Sequence, residues 1–224
     1  MIIVLDLDDT LYNELDFVKS GFKAVSEYLY KKFSINKRKS FLFMMKKLRT
    51  EGRGRIFDDL LKKYGIYTKK EVRKCINIYR NHKPRIFLYP EAREFLKKFK
   101  KYPLYIVTDG NKVAQQNKIK ALKLDKKIKF CYITSHYGEK GAKPSPYCFL
   151  KICKKEKVLP KNVVYIADNP YKDFIEIKKL GFKTIRILKG PYKDLILPDE
   201  FEAEYKFKSL ADIKEDFLKN YIND

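Results

Sequence analysis

Five short apolar runs recur along the chain, at residues 2–5, 104–107, 130–134, 163–167 and 184–188. They are continuous or nearly so rather than alternating, the pattern of parallel strands covered on both faces. Segments with a helical period lie between the later runs. Residues 91–99 place Phe95, Leu96 and Phe99 on one face. Residues 144–154 carry Phe149, Leu150 and Cys153. Residues 172–180 carry Phe174, Ile177 and Leu180, with Gly181 as a C-cap. This alternation predicts an α/β fold with a doubly wound parallel sheet. Residues 202–224 predict a short strand and a closing helix.

The interval between the first two runs is too long for a single crossover, and its periodicity is helical throughout. Leu15, Val18, Phe22, Val25, Leu29 and Phe33 recur at steps of three and four. A second helix holds Phe41, Leu42, Met44, Met45 and Leu48. A third covers about residues 56–64 and stops at Gly65. Thr68 and Glu71 form a capping-box pair for a fourth, which carries Val72, Cys75, Ile76 and Tyr79. The predicted organisation is an α/β core from residues 1–12 and 86–224, interrupted by a helical subdomain at 13–85.

Composition narrows the class. The 224 residues include 51 Lys and Arg against 28 Asp and Glu, a net charge of +23. Such a charge attracts nucleic acid, anionic membrane or phosphorylated metabolites. The lysines are scattered over every predicted helix instead of forming one block, and no aromatic–basic RNA motif or helix-turn-helix signature appears. No dedicated nucleic-acid site is therefore expected. Four cysteines without a CxxC, and only two histidines, His82 and His136, argue against a zinc site. Both histidines read as structural or surface residues. The first apolar run ends in Asp6, too early for a signal peptide, and no run is long enough to span a membrane. The expected location is a reducing cytoplasm.

The acids carry the chemistry. The first run ends in "DLDDT", the second in "VTDGN" and the fourth in "IADNPYKD". In an open α/β sheet, ligands bind beyond the carboxyl ends of the strands, so Asp6, Asp8 and Asp168 should converge there. Clustered carboxylates repel unless a cation neutralises them. Oxygen donors without nearby His or Cys suggest Mg²⁺, which retains open positions suited to phosphate oxygens. Asp6 and Asp8 are two apart on an extended strand end and point to the same side. One can attack while its neighbour handles protons. Thr108 offers a hydroxyl and Lys143 an ammonium. Lys143 directly precedes Pro144, expected in the first turn of a helix whose N-terminus would favour an anion.

In this order, these residues resemble the haloacid dehalogenase superfamily of aspartyl-phosphate enzymes, over nearly the whole chain. "DLDDT" is similar to its DxDxT motif, Thr108 to the second-motif Ser or Thr, Lys143 to the third-motif Lys, and Asp168 with Asp173 to the fourth. The helical insertion resembles the family's α-helical cap on a Rossmann-like core. The resemblance implies Asp6 as nucleophile and Asp8 as general acid and base. It implies Mg²⁺ on Asp6, Asp168 and the backbone carbonyl of Asp8, with Thr108, Asp109 and Lys143 at the substrate. Two positions depart from the family pattern: Ala167 precedes Asp168 where Gly is usual, and Lys172 precedes Asp173 where Asn is common. The second leaves Asp173 either behind the metal or on Lys143.

The family's dehalogenases lack the second Asp, so Asp8 favours phosphoester chemistry. The expected activity is Mg²⁺-dependent hydrolysis of a small phosphorylated metabolite. A phosphomutase uses the same groups with a second sugar hydroxyl in place of water, and a nucleic-acid-binding protein using the basic surface is the reading from another class.

Overall fold

The computed structural model describes residues 1–223. They fall into two compact units: Met1–Glu14 with the chain from Phe87 onward, and Leu15–Ile86.

The first unit is built on six parallel strands, β1 (Ile2–Leu5), β2 (Leu104–Thr108), β3 (Phe130–Ile133), β4 (Val163–Ala167), β5 (Lys183–Ile187) and β6 (Tyr205–Phe207). Their order in the sheet is β3-β2-β1-β4-β5-β6. β1, β2 and β4 are buried at every position, which is why they read as unbroken apolar runs. The edge strands β3 and β6 are partly exposed. The chain steps outward from β1 through β2 to β3, then returns to the other side of β1 with β4. The strand order reverses between β1 and β4, and this is where an open α/β sheet leaves a crevice at its carboxyl edge.

Helices α5 (Pro90–Lys98), α6 (Lys112–Ala121), α7 (Tyr147–Glu156), α8 (Ile175–Lys179) and α9 (Glu215–Asn223) complete this unit. Two differ from the expected positions. α7 begins at Tyr147, not Pro144. Lys143 and Ser145 each precede a proline, which disfavours the helical backbone at both, so no helix forms until Pro146 is passed. Lys143 thus lies on a loop and not in a helix's first turn. α8 is confined to five residues because the turn before it is shaped by Asp173, whose Oδ2 accepts from Asn169 N–H at 3.0 Å.

The second unit holds most of α1 (Glu14–Phe33), then α2 (Lys37–Glu51), α3 (Ile56–Lys63) and α4 (Lys69–Asn81). Val18, Phe22, Val25, Leu29, Met44, Leu60, Leu61 and Cys75 make its core. The aromatic wall consists of Phe22, Phe57 and Tyr79, with ring centroids 5.8–6.1 Å apart. Half of the expected capping box forms: Thr68 accepts from Glu71 N–H at 3.1 Å. The Glu71 carboxylate instead accepts from Tyr28 at 2.6 Å and Lys32 at 2.5 Å. Among the described residues, no helix is long and apolar enough to cross a membrane.

Candidate active site

Asp6 follows β1 directly, and its backbone N–H still donates to Ile166 O of β4 at 2.9 Å. The ladder therefore fixes the backbone of the residue that leaves the sheet. Asp168 follows β4 on the other side of the reversal, and Thr108 closes β2. All three are buried, as are Lys143 and Asp173.

Lys143 joins Asp6 to Asp173. Its Nζ donates to Asp6 Oδ1 and Asp173 Oδ1, both at 2.7 Å, and to the Tyr165 hydroxyl at 3.0 Å. Tyr165 in turn donates to Asp173 at 3.0 Å. Asp173 is thus a partner of Lys143 that also ties down the Asn169 backbone. Burial alone would drive Lys143 toward its neutral form, but Asp173 and Asp6 outweigh it and hold the ammonium well above its ordinary pKa.

Asp6 and Asp168 show the opposite strain. Burial pushes Asp6 up to about 7; Lys143 opposes the rise, and Asp173 and Asp8 add to it. Burial, then repulsion from Asp6 and Asp173, pushes Asp168 up to about 9. The Thr10 hydroxyl donates to Asp168 Oδ1 at 3.4 Å. Two carboxylates raised first by burial and then by neighbouring acids are the setting a divalent cation relieves. Among the described residues, no three acidic, His or Cys side chains gather into a complete metal cage. Two carboxylates and a backbone carbonyl suit Mg²⁺, which retains waters, and the Asp8 carbonyl, which accepts from Thr10 N–H at 2.7 Å, is a two-lone-pair acceptor. The donor set fits that ion.

Asp8 has different company. Its carboxylate accepts from Lys118 Nζ at 2.8 and 2.9 Å, from Gln115 Nε2 at 3.0 Å and from the Tyr12 hydroxyl. Burial would raise its pKa, but the Lys118 charge and these hydrogen bonds win and hold it below the ordinary carboxyl value. Asp109 is also fully engaged: it accepts from Thr134 Oγ1 at 2.6 Å, Lys172 Nζ at 2.9 Å and Lys143 N–H at 3.2 Å. Its side chain pins three loops together. Lys172, where the family commonly has Asn, is the cation on Asp109.

Several of these groups were not visible in the sequence. Tyr165 sits inside an apolar run and reads as core. Tyr12, Gln115 and Lys118 belong to no expected motif. The available signal was Asn111, whose side chain caps α6 by accepting from Val113 N–H at 3.1 Å and Ala114 N–H at 3.3 Å. Another buried cation, Arg186 on β5, donates from Nε to the Asp168 carbonyl at 3.3 Å and pairs with Glu202 at 2.7 Å. It fixes the backbone of the Asp168 turn from behind. Lys189–Gly190 passes close to the first motif: a Cβ on Gly190, whose φ is +67°, would lie 2.7 Å from Asp9 Cβ.

Comparison with known proteins gives this arrangement relatives. The family described as haloacid dehalogenase-like hydrolase matches residues 3–187. A glyceraldehyde 3-phosphate phosphatase of Methanocaldococcus jannaschii is 31% identical, across 99% of this chain and 98% of its own. Among solved structures, a 2-haloacid dehalogenase from Pseudomonas syringae pv. Tomato superposes with a TM-score of 0.66 at 18% identity, covering 100% of this chain and 99% of that one. A HAD phosphatase from Thermococcus onnurineus gives 0.60 at 20% identity, covering 93% and 94%. These two structural likenesses are likenesses of fold.

Proposed function

The chain belongs to the haloacid dehalogenase-like hydrolases, and from that membership we propose that it is a Mg²⁺-dependent phosphomonoesterase working through an aspartyl-phosphate. The observation that carries the reading is the buried cluster at the strand reversal. It puts an ammonium 2.7 Å from the Asp6 carboxylate, beside a second carboxyl raised for want of a counter-charge.

Asp6 attacks phosphorus and takes the phosphoryl group as the P–O bond to the ester oxygen breaks, and that oxygen leaves as an alcohol with a proton from Asp8. Lys143 and the Thr108 hydroxyl donate to the phosphoryl oxygens, and Asp173 and Tyr165 keep Lys143 in place. Asp6, Asp168 and the Asp8 carbonyl would hold Mg²⁺, which supplies positive charge for the phosphate dianion. Asp8 then acts as base on the water that cleaves phospho-Asp6. Its depressed pKa supports this half of its acid–base role best.

The archaeal relative is named for glyceraldehyde 3-phosphate, which makes a triose phosphate the first substrate to test and favours water over a sugar hydroxyl as acceptor. The helical unit lies in sequence between the first and second motifs, the position of the family's cap. We assign it discrimination among esters.

Phosphate release from glyceraldehyde 3-phosphate and from p-nitrophenyl phosphate should require Mg²⁺ and cease with chelator. Acid-quenched mass spectrometry should show a phosphate adduct on Asp6, and Asp6→Asn should lose both adduct and turnover. Wild-type release by Asp6→Asn would replace the covalent route with direct attack by water.

A further inference from the structure

Helices that cover a parallel sheet normally bury an aliphatic face. α6 does not. Its buried residues include Gln115 and Lys118, at 1% and 3% exposure, one turn apart and so on the same face. Burying an ammonium costs several kcal/mol unless its partner is well placed. Here the near partner is Asp8, the proposed acid and base, at 2.8 Å, with Glu14 farther off at 3.8 Å. The Gln115 amide bridges two site groups, donating from Nε2 to Thr108 Oγ1 at 2.6 Å and to Asp8 Oδ2 at 3.0 Å.

We propose that Lys118 and Gln115 form a clamp that positions Asp8 and couples it to the phosphate-binding hydroxyl of Thr108. The proposal rests on the reading of Asp8 as the acid and base of phosphoester hydrolysis. A hydroxyl that accepts from Gln115 has its own hydrogen turned elsewhere, free to donate to a phosphoryl oxygen. The same amide therefore orients both the group that grips the phosphate and the group that handles protons.

Lys118 has the second part of the work. A carboxylate offers about four acceptor sites. Those of Asp8 are taken by Tyr12 and Lys118 on Oδ1, and by Gln115 and Lys118 on Oδ2. A water or leaving oxygen can reach Asp8 only if one bond yields. Lys118 is the donor that bonds both oxygens, so it can release one and keep the other, and Asp8 holds its orientation while a site opens. Lys118 is a positioning residue. It touches Asp8, not the substrate.

The test compares Lys118→Met, Lys118→Arg and Gln115→Met with the parent protein, with Asp6→Asn run in parallel. Substrates are glyceraldehyde 3-phosphate and p-nitrophenyl phosphate, and inorganic phosphate is the inhibitor. Misplacing a catalytic group by about 1 Å costs on the order of 10²-fold, so Lys118→Met should lower kcat about 10–100-fold. KM and the inhibition constant for phosphate should hardly move, and phospho-Asp6 should accumulate with the aryl ester. Lys118→Arg should recover part of the rate. Gln115→Met should lower kcat and also weaken phosphate inhibition, because Thr108 loses its orientation. A Lys118→Met protein that melts lower but keeps parental kcat per folded molecule overturns the proposal, since the lysine would then only stabilise the fold. If Lys118→Met does not fold, Lys118→Arg and Gln115→Met decide: parental kcat and phosphate inhibition in both overturn it. Turnover surviving in Asp6→Asn would defeat the hydrolytic reading itself, whereas an inert Asp6→Asn beside a normal Lys118→Met defeats the clamp alone.

Discussion

In the helical unit the buried polar residues are Ser26, Ser40 and Glu71; in the α/β unit they include Asp6, Asp9, Lys118, Lys143, Asp168, Asp173, Arg186 and Glu202. Outside, the contrast runs the other way. Residues 15–86 carry 21 Lys and Arg against 6 Asp and Glu, or +15 of the chain's +23, and the rest of the chain carries 30 against 22. One unit keeps charge on its surface around an apolar, aromatic core. The other draws charge inside, where each ion needs a partner to offset desolvation. Function is expected where a fold tolerates that strain, which places the chemistry in the sheet unit.

The contrast can be sharpened by removing one charge from the sheet unit's interior. Asp173→Ala leaves Lys143 with Asp6 and the Tyr165 hydroxyl. Stranding part of a buried pair costs about 3–5 kcal/mol, and the remaining Asp6 contact favours the lower end. Urea denaturation should record that loss, and Asp173→Ala with Lys143→Met should recover much of it. A loss no greater for Asp173→Ala than for a surface substitution would mean that the cluster is not a coupled unit.

The matching test in the helical unit removes bulk, not charge. Met44 is fully buried, and Met44→Ala should cost about 2–5 kcal/mol. Turnover of p-nitrophenyl phosphate per folded molecule should stay near parental, while the ratio of triose phosphate to aryl ester turnover shifts. Equal falls for the two esters would remove discrimination from the helical unit's role.

The smallest effect expected is a pH trend confined to the sheet unit. Asp6 and Asp168 bind protons more tightly folded than unfolded, at about 7 and about 9 against an ordinary 3.8. The stability they contribute is complete below about pH 4 and is lost as pH rises through those values. Without metal, Tm should fall between pH 5 and pH 9, by about 2–4 °C for each kcal/mol lost. Mg²⁺, which binds the ionised carboxylates, should restore more at pH 9 than at pH 5. Asp168→Asn should flatten the trend. In the helical unit Glu27 and Glu71 are shifted downward, by their contacts with Lys37 and Lys32, so they cannot produce it. A slope unchanged in Asp168→Asn would remove Asp168 as its source.

The same contrast explains what could be read from the sequence. The four helices of residues 15–86 and the strands of the sheet obey one rule, apolar inside, and periodicity finds them. Asp6, Thr108 and Asp168 stand out because each ends or follows an apolar run, and Lys143 because an ammonium directly precedes Pro144; the structure buries all four. α6 is hard to see in the sequence for the converse reason: Gln115 and Lys118 share its buried face with only Ala114 and Ile119, so its sequence, KVAQQNKIKA, lacks the continuous apolar stripe that marks a covering helix. Pro144 alone suggests a helix's first turn, but the proline at 146 keeps Ser145 out of the helix, and α7 starts at Tyr147. The residues hidden from sequence reasoning are those whose neighbours come from distant segments.

One feature of the sheet has a temporal meaning. β1 lies at its centre and pairs with β2 on one side and β4 on the other. Thr10 and Asp168, which meet at the site, are 158 positions apart. At a synthesis rate of about 5–20 residues per second, Asp6 waits roughly 8–30 s for Asp168 and Asp173 to leave the ribosome. During that wait one flank of β1 has no strand to receive its hydrogen bonds, and Lys143 emerges before its partner Asp173. The nascent chain therefore passes through an interval in which its most apolar strand is half-paired, and the arrival of β4 ends that exposure and assembles the site in the same step.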